Sequence, residues 1–462
     1  MVLVITFFRL SLQSLLIFCA SAHLVPIPVY GNLRNDGYYF LDLWVGTPPQ
    51  RVSVMMSLTG SPLTAFACSS CERCAQHMDP WFQLNQSSTA EILPCADPRC
   101  HRGCGNRNLA TSNAPCEYEQ RYAEGSSIRG WWFEDVVRAG SQLIGRKMMG
   151  CHSEEKDIFS TLKANGILQL APGISDTLLA ERDADVIAVC LADYGGIVTM
   201  GGPNWSFHRG RPKYIKMKQR MNSSIFAQGR SEILVPLTSI SIGWHVVPIH
   251  GETTVESGTT RTYFSSSAYD SIRKHIESFC RHRCGLLTAK RSCWITKRLQ
   301  YFPALRMNFG HTFRWAPSAY LYARRPGHYC YAFEDDGPSG RTILGGSWML
   351  HQELIFDFRQ GRLGVVPAEC PRHFARPIEV LWDMNSQVGH SKEDHHSDAF
   401  GQIHVSPAER DSMIAAVLML CLGLLSMKWY KRPKAPAVEM EVALASLDTG
   451  DSPCGDYYAL DD

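Results

Sequence analysis

The chain has 462 residues, a formal net charge of +2 and 45% hydrophobic residues, so it is long enough for two domains. So even a charge balance gives no electrostatic reason to expect nucleic acid or an acidic partner. Its 17 cysteines, on the other hand, point to an oxidising compartment, where disulfides persist.

In chain order, residues 1–22 form an apolar run broken by Arg9 and ending in Ala20-Ser21-Ala22, which reads as a signal peptide with a small-residue cleavage site. From Tyr38, two β-rich runs flank Gly46-Thr47-Pro48-Pro49, and this predicts a hairpin whose second strand feeds the turn Leu58-Thr59-Gly60-Ser61. A cysteine-dense stretch follows, with Cys68, Cys71, Cys74, Cys95, Cys100, Cys104 and Cys116. Its close spacings resemble zinc ligands, but a lumenal setting and the lack of a matching histidine pair favour a disulfide-stapled insertion. Another hairpin is expected where the run from Glu117 to Tyr122 meets Gly130-Trp131-Trp132-Phe133. Residues 205–228 are basic and polar and read as a solvated connection, and the turn Glu256-Ser257-Gly258-Thr259 echoes the first. Long helical periodicity is scarce, so the fold class is mostly β.

Setting aside Cys19, Cys421 and Cys454 leaves fourteen cysteines for full pairing: the seven above with Cys151, Cys190, Cys280, Cys284, Cys293, Cys330 and Cys370. Residues 371–412 are polar; His390, Asp394, His395, His396 and Asp398 cluster there, and a hydrated stalk is favoured over a metal site. Residues 413–427 are apolar and are followed by Lys428-Trp429-Tyr430-Lys431-Arg432, a transmembrane helix with its basic flank in the cytosol. Residues 428–462 are then a cytoplasmic tail.

The hairpin from Tyr38, both small-residue turns, Asn165-Gly166-Ile167-Leu168, Gly201-Gly202, Ile343-Leu344-Gly345-Gly346 and the terminal Ile355-Phe356-Asp357-Phe358 occur in the order found in pepsin-like aspartic proteases. With Gly150-Cys151-His152, Cys293-Trp294 and the run from Trp315 to Tyr322, the chain most resembles the membrane-anchored plasmepsin V type of that family. The resemblance implies a bilobal pepsin-like fold, with an N-terminal lobe at 38–203 carrying the insertion at 68–116 and a C-terminal lobe at 204–370. It also implies an extended peptide or secretory protein as partner, an endoplasmic reticulum membrane location, and neither cofactor nor metal. Tyr122 would lie on a flap, Glu124 would receive a substrate arginine, and Gly60, Gly258 and Thr259 would line the cleft.

In that family each small-residue turn carries one Asp, and the two carboxylates share a proton and activate water. Here the expected positions hold Leu58 and Glu256. Leucine cannot ionise, and glutamate moves its carboxyl group about 1.5 Å further from the backbone. Gln169 stands where a glycine is expected behind the first turn, Ala123 replaces a flap cysteine, and Lys163 places a cation near the expected arginine site. A pseudoprotease is the reading these departures favour, with an active aspartic endopeptidase acting on Arg-x-Leu motifs as the alternative.

Overall fold

The computed structural model describes residues 24–59, 63–100, 104, 113–122, 125–170, 185–221, 231–288 and 292–377. The expected signal peptide, the transmembrane segment and tail, most of the polar stalk, Gly60, Ala123 and Glu124 lie outside the described residues. Among the described residues no helix is long and apolar enough to cross a membrane.

The fold is mostly β and has two lobes. Strand Tyr38–Val45 pairs antiparallel with Gln50–Ser57 across the Gly-Thr-Pro-Pro turn, and both strands are largely buried. Strand Val25–Asn32, ahead of the expected lobe start at 38, lies between Tyr38–Val45 and Gly196–Met200 and completes this layer. The second expected hairpin forms from Glu117–Arg121 and Ser127–Ala139, with Tyr118 opposite Gly130. A fourteen-stranded sheet runs on through Val186–Leu191 into Gln352–Asp357 and Arg362–Pro367, so the last of the described strands are built onto the first lobe's sheet. The second lobe contributes one six-stranded and two four-stranded sheets.

Helix Ser266–Cys280 was not legible as a long periodic segment, yet it buries Ala268, Ile272, Ile276 and Cys280 at helical spacing against the second lobe. The supposed solvated connection is also more ordered than its composition implies. Lys213–Lys216 pairs with Arg362–Pro367, and Arg362 lies over the Tyr214 ring at 4.0 Å.

All fourteen expected cysteines pair. Three bridges lie within the insertion, Cys71–Cys74, Cys95–Cys104 and Cys100–Cys116, and Cys68–Cys151 ties it to the long strand Gln142–Lys156. Cys190–Cys370 fastens the end of the sheet, while Cys280–Cys284 and Cys293–Cys330 lie in the second lobe.

The segment 371–377, expected as the start of a hydrated stalk, packs on the first lobe instead. Arg376 reaches Asp42 at 2.9 Å and Asp79 at 2.8 Å, and Arg51 donates to the Pro377 carbonyl at 2.6 Å. Burial raises the Asp42 carboxyl above its ordinary range, with Arg376 opposing the rise. Asp79 is almost fully buried, so removing one of its cations leaves a poorly compensated charge. Arg376→Met is therefore expected to lower stability by up to about 3–5 kcal/mol, less to the extent that Arg51 still holds Asp79. Denaturant titration would read it, and an unchanged midpoint would show that the segment is not anchored there.

Candidate functional site at the lobe boundary

Two parallel strand pairs carry the two turns. In the first lobe Met56 lies opposite Leu168 and Ser57 opposite Gln169; in the second, Val255 lies opposite Leu344 and the Glu256 amide donates to the Leu344 carbonyl at 3.0 Å. The strands therefore superpose Met56 on Val255, Ser57 on Glu256 and Leu58 on Ser257. Cross-lobe bonding agrees: the Leu58 amide donates to Ser257 Oγ at 2.9 Å, and that hydroxyl donates on to the Met56 carbonyl at 3.4 Å.

This corrects the sequence expectation for the first turn. Aligning Leu58-Thr59-Gly60 with Glu256-Ser257-Gly258 puts Leu58 opposite the glutamate, but the ladder and the clasp put Ser57 there. Leu58 takes the place symmetric to Ser257, and its side chain is fully buried in the main core. It has no hydroxyl to return the clasp, which is thus one-sided. Only strand register carries this information, so residue spacing in the turn could not reveal it.

Ser57 donates its hydroxyl proton to the Thr59 carbonyl at 2.5 Å, within its own turn. Gly258 lies close by, since a Cβ built on it would stand 3.6 Å from Ser57 Oγ. Glu256 is half-buried, and Thr259 closes its turn by donating to the Glu256 carbonyl at 3.4 Å and accepting from Gly346 at 2.8 Å. Thr260 adds a second link between the lobes, donating to the Gly37 carbonyl at 2.5 Å. Beside Thr260 a cavity of about 650 Å³ opens between the lobes, lined from one side by Asn32, Tyr39 and Asp193 and from the other by Arg261 and Tyr322.

Gln169 is the other departure. Its counterpart behind the second turn is Gly345, where a Cβ would stand 2.0 Å from the Arg261 carbonyl oxygen and 2.6 Å from that of Thr259. The second turn thus closes down on a bare backbone, and the first must stay open to admit a side chain. The Gln169 side chain is buried, and both its amide nitrogen and its oxygen lack hydrogen-bond partners, as does the buried Thr59 hydroxyl.

Tyr122 sits at the tip of the hairpin, its amide bonded to the Ser126 carbonyl at 2.9 Å and its ring 4.9 Å from Phe159. The Lys163 ammonium is held by Asp36 at 2.7 Å, so its charge is met locally and does not stand bare against an incoming arginine, as the sequence suggested. Asp36 correspondingly holds the Lys163 ammonium above its ordinary range.

Comparison with known proteins divides the chain much as the two lobes do. Residues 39–202 match the family profile described as "Xylanase inhibitor N-terminal", and 233–366 that described as "Xylanase inhibitor C-terminal". Aspartic protease 5 of Toxoplasma gondii is 29% identical over 75% of this chain, and plasmepsin V of Plasmodium falciparum is 24% identical over 76% of it. The chain belongs to the pepsin-like aspartic protease family. It spans only 38% of the length of Aspartic protease 5, and 74% of plasmepsin V. Among solved structures, conglutin gamma from lupine seeds is similar at a TM-score of 0.58 and 16% identity, covering 75% of this chain and 95% of that one; this likeness concerns the fold.

Within this pepsin-like frame two positions at the first turn make opposite demands on substitution. A buried amide without partners costs about 1–3 kcal/mol, so Gln169→Leu should stabilise the protein by about that amount in denaturant titration. Leu58→Asp should destabilise by several kcal/mol, on the order of 3–5, because it places a charge in the core. If Leu58→Asp proved neutral and Ser57→Asp disruptive, the register assignment would be wrong.

Proposed function

We propose that this pepsin-like protein binds an extended peptide or a secretory protein segment between its lobes without hydrolysing it at a useful rate. The observation that carries this reading is the Ser57 hydroxyl, at the position symmetric to Glu256, spending its proton on the Thr59 carbonyl. Peptide hydrolysis by a carboxylate dyad needs one group to take a proton from water and its protonated partner to polarise the scissile carbonyl. A serine so bonded does neither with the acidity of a carboxyl group. Glu256 retains the capacity of a base, with its carboxylate displaced by one methylene from where an aspartate would hold it. Loss of a general acid or base typically costs about 10²–10⁴ in rate.

The binding parts of the site are present in this reading. Gly258 and Thr259 offer backbone beside the turn, Tyr122 lies at the hairpin tip, and Glu124 is assigned the recognition of a guanidinium. The family profiles are named for an inhibitor, which fits a pepsin-like fold used for binding.

The test is a turnover and binding assay of the purified protein with an Arg-x-Leu peptide. The unmodified protein should bind it and release no product. Ser57→Asp with Glu256→Asp should recover little activity, and adding Gln169→Gly should recover more, since the first turn can then close as the second does. Cleavage by the unmodified protein that Glu256→Gln abolishes would overturn the proposal and leave an active endopeptidase, the activity for which Aspartic protease 5 and plasmepsin V are named.

The location belongs to the same proposal: the lobes in the lumen of the secretory pathway, an anchor at 413–427 and a cytosolic tail. Seven disulfides in the described residues support an oxidising lumen. In sealed microsomes the lobes should resist added protease until detergent is present; digestion without detergent would reverse the orientation.

A further inference from the structure

Beneath the hairpin that carries Tyr122 lies a buried group of chemistry-bearing side chains that the cleft does not use. Glu155 on the long strand Gln142–Lys156 accepts from both sides: His152 Nδ1 stands 2.8 Å from its Oε1, and His77 Nε2 stands 3.1 Å from its Oε2. The Ala75 amide also donates to Glu155 Oε2, at 3.2 Å. His77 Nδ1 faces the Leu162 carbonyl at 2.9 Å, so that nitrogen carries a hydrogen. The three side chains are 0–1% exposed.

His152 is the member left incomplete. Its Nδ1 donates to Glu155, which leaves Nε2 as a lone pair, and Nε2 is buried with no hydrogen-bond partner. A histidine oriented by a carboxylate on one nitrogen and bare on the other is the usual arrangement around zinc.

The missing ligands stand alongside. Cys74 Sγ, a His152 ring nitrogen and a Glu155 oxygen lie within 4.8 Å of one another. Cys74 is bonded to Cys71 in a Cys-x-x-Cys sequence, a spacing that chelates zinc when both sulfurs are thiolates. The Cys71–Cys74 bridge closes a loop of sequence separation 3, the shortest of the seven, where the chain-entropy gain from cross-linking is smallest. Cys74 is half-buried, so a reductant can reach it.

We propose that Cys71, Cys74 and His152, with the Glu155–His77 pair completing or orienting the set, form a zinc site that exists only when the Cys71–Cys74 disulfide is reduced. A dithiol passes two electrons and two protons to the bridge, leaving two protein thiols and becoming a disulfide itself. Zinc then takes both sulfurs, and the two thiol protons leave to solvent. Oxidised, the bridge staples the insertion; reduced and metallated, zinc ties the insertion to the strand that bears His152. That strand leads to the flap, because Phe159 lies 6.4 Å from the His152 ring and 4.9 Å from Tyr122. The site is independent of whether the cleft cuts peptides.

The test uses the full chain, titrated with dithiothreitol under native conditions, with the opened cysteines mapped by alkylation and mass spectrometry. Cys71 and Cys74 should open before the other twelve, and the protein should then hold about one zinc per chain after dialysis. Cobalt substituted for zinc should give a sulfur-to-metal charge-transfer band that Cys74→Ser abolishes. His152→Ala should weaken metal binding by about 100-fold or more. Should His152→Ala fail to fold, the cobalt band of the unsubstituted protein decides, since only thiolate ligation produces it. The proposal fails if the Cys71–Cys74 bridge opens last, if the reduced protein takes up no metal, or if His152→Ala binds as tightly.

Discussion

The hydrogen bond between the Leu58 amide and Ser257 Oγ is the constraint on which the rest of the site depends. It joins the lobes at the point where their two turns meet, and through the onward bond to Met56 it fixes the register of one turn against the other. A buried bond of this kind contributes about 1 kcal/mol net, but leaving either partner unmade would cost more. Its geometric effect is larger than its energy. With Leu58 and Ser257 clasped, Ser57 and Glu256 are the residues brought to corresponding positions, and the chemistry available at the lobe boundary follows from that pairing.

The same clasp shows how the lobes have diverged while keeping one architecture. The second turn is packed from behind by Gly345, which admits no Cβ; the first is backed by Gln169, a buried amide without partners. A side chain there and a leucine in place of a clasping hydroxyl both loosen the first turn, whereas the core contact of Leu58 compensates by burial. Under the proposed binding function, such a site would keep main-chain groups for a ligand without the coupled carboxylates that hydrolysis uses. Family resemblance therefore describes the scaffold, and the activity has to be argued from the side chains on it.

Covalent and ionic fastening is concentrated where the architecture is least regular. The insertion after the first turn has few strands of its own and is held by four of the bridges, one of them to Cys151. Elsewhere, the Cys190–Cys370 bridge and the Arg376 contacts with Asp42 and Asp79 bring the segment after strand Arg362–Pro367 back onto the first lobe. The buried His77–Glu155–His152 group joins the insertion to the flap-bearing strands, with the histidines holding the Glu155 carboxyl down to about 2 despite its burial.

The sequence by itself determined the β class, both hairpins, the family, and the pairing competence of the fourteen cysteines, because turn residues, strand alternation and cysteine parity are local or additive properties. It also marked Gln169 and Glu256 as departures, since a missing glycine and a missing aspartate are visible residue by residue. It set Leu58 opposite Glu256, where the strand register sets Ser57. Side chains alternate along a strand, so a one-residue slip exchanges a core position for a site position, and only the parallel ladder with Gly166–Gln169 and the cross-lobe bond to Ser257 choose between them. Tertiary structure likewise decided the partner of Lys163, the anchoring of residues 371–377 and the meeting of His77, His152, Glu155 and Cys74. Each depends on segments brought together from far apart in the chain, a proximity that no spacing along it encodes.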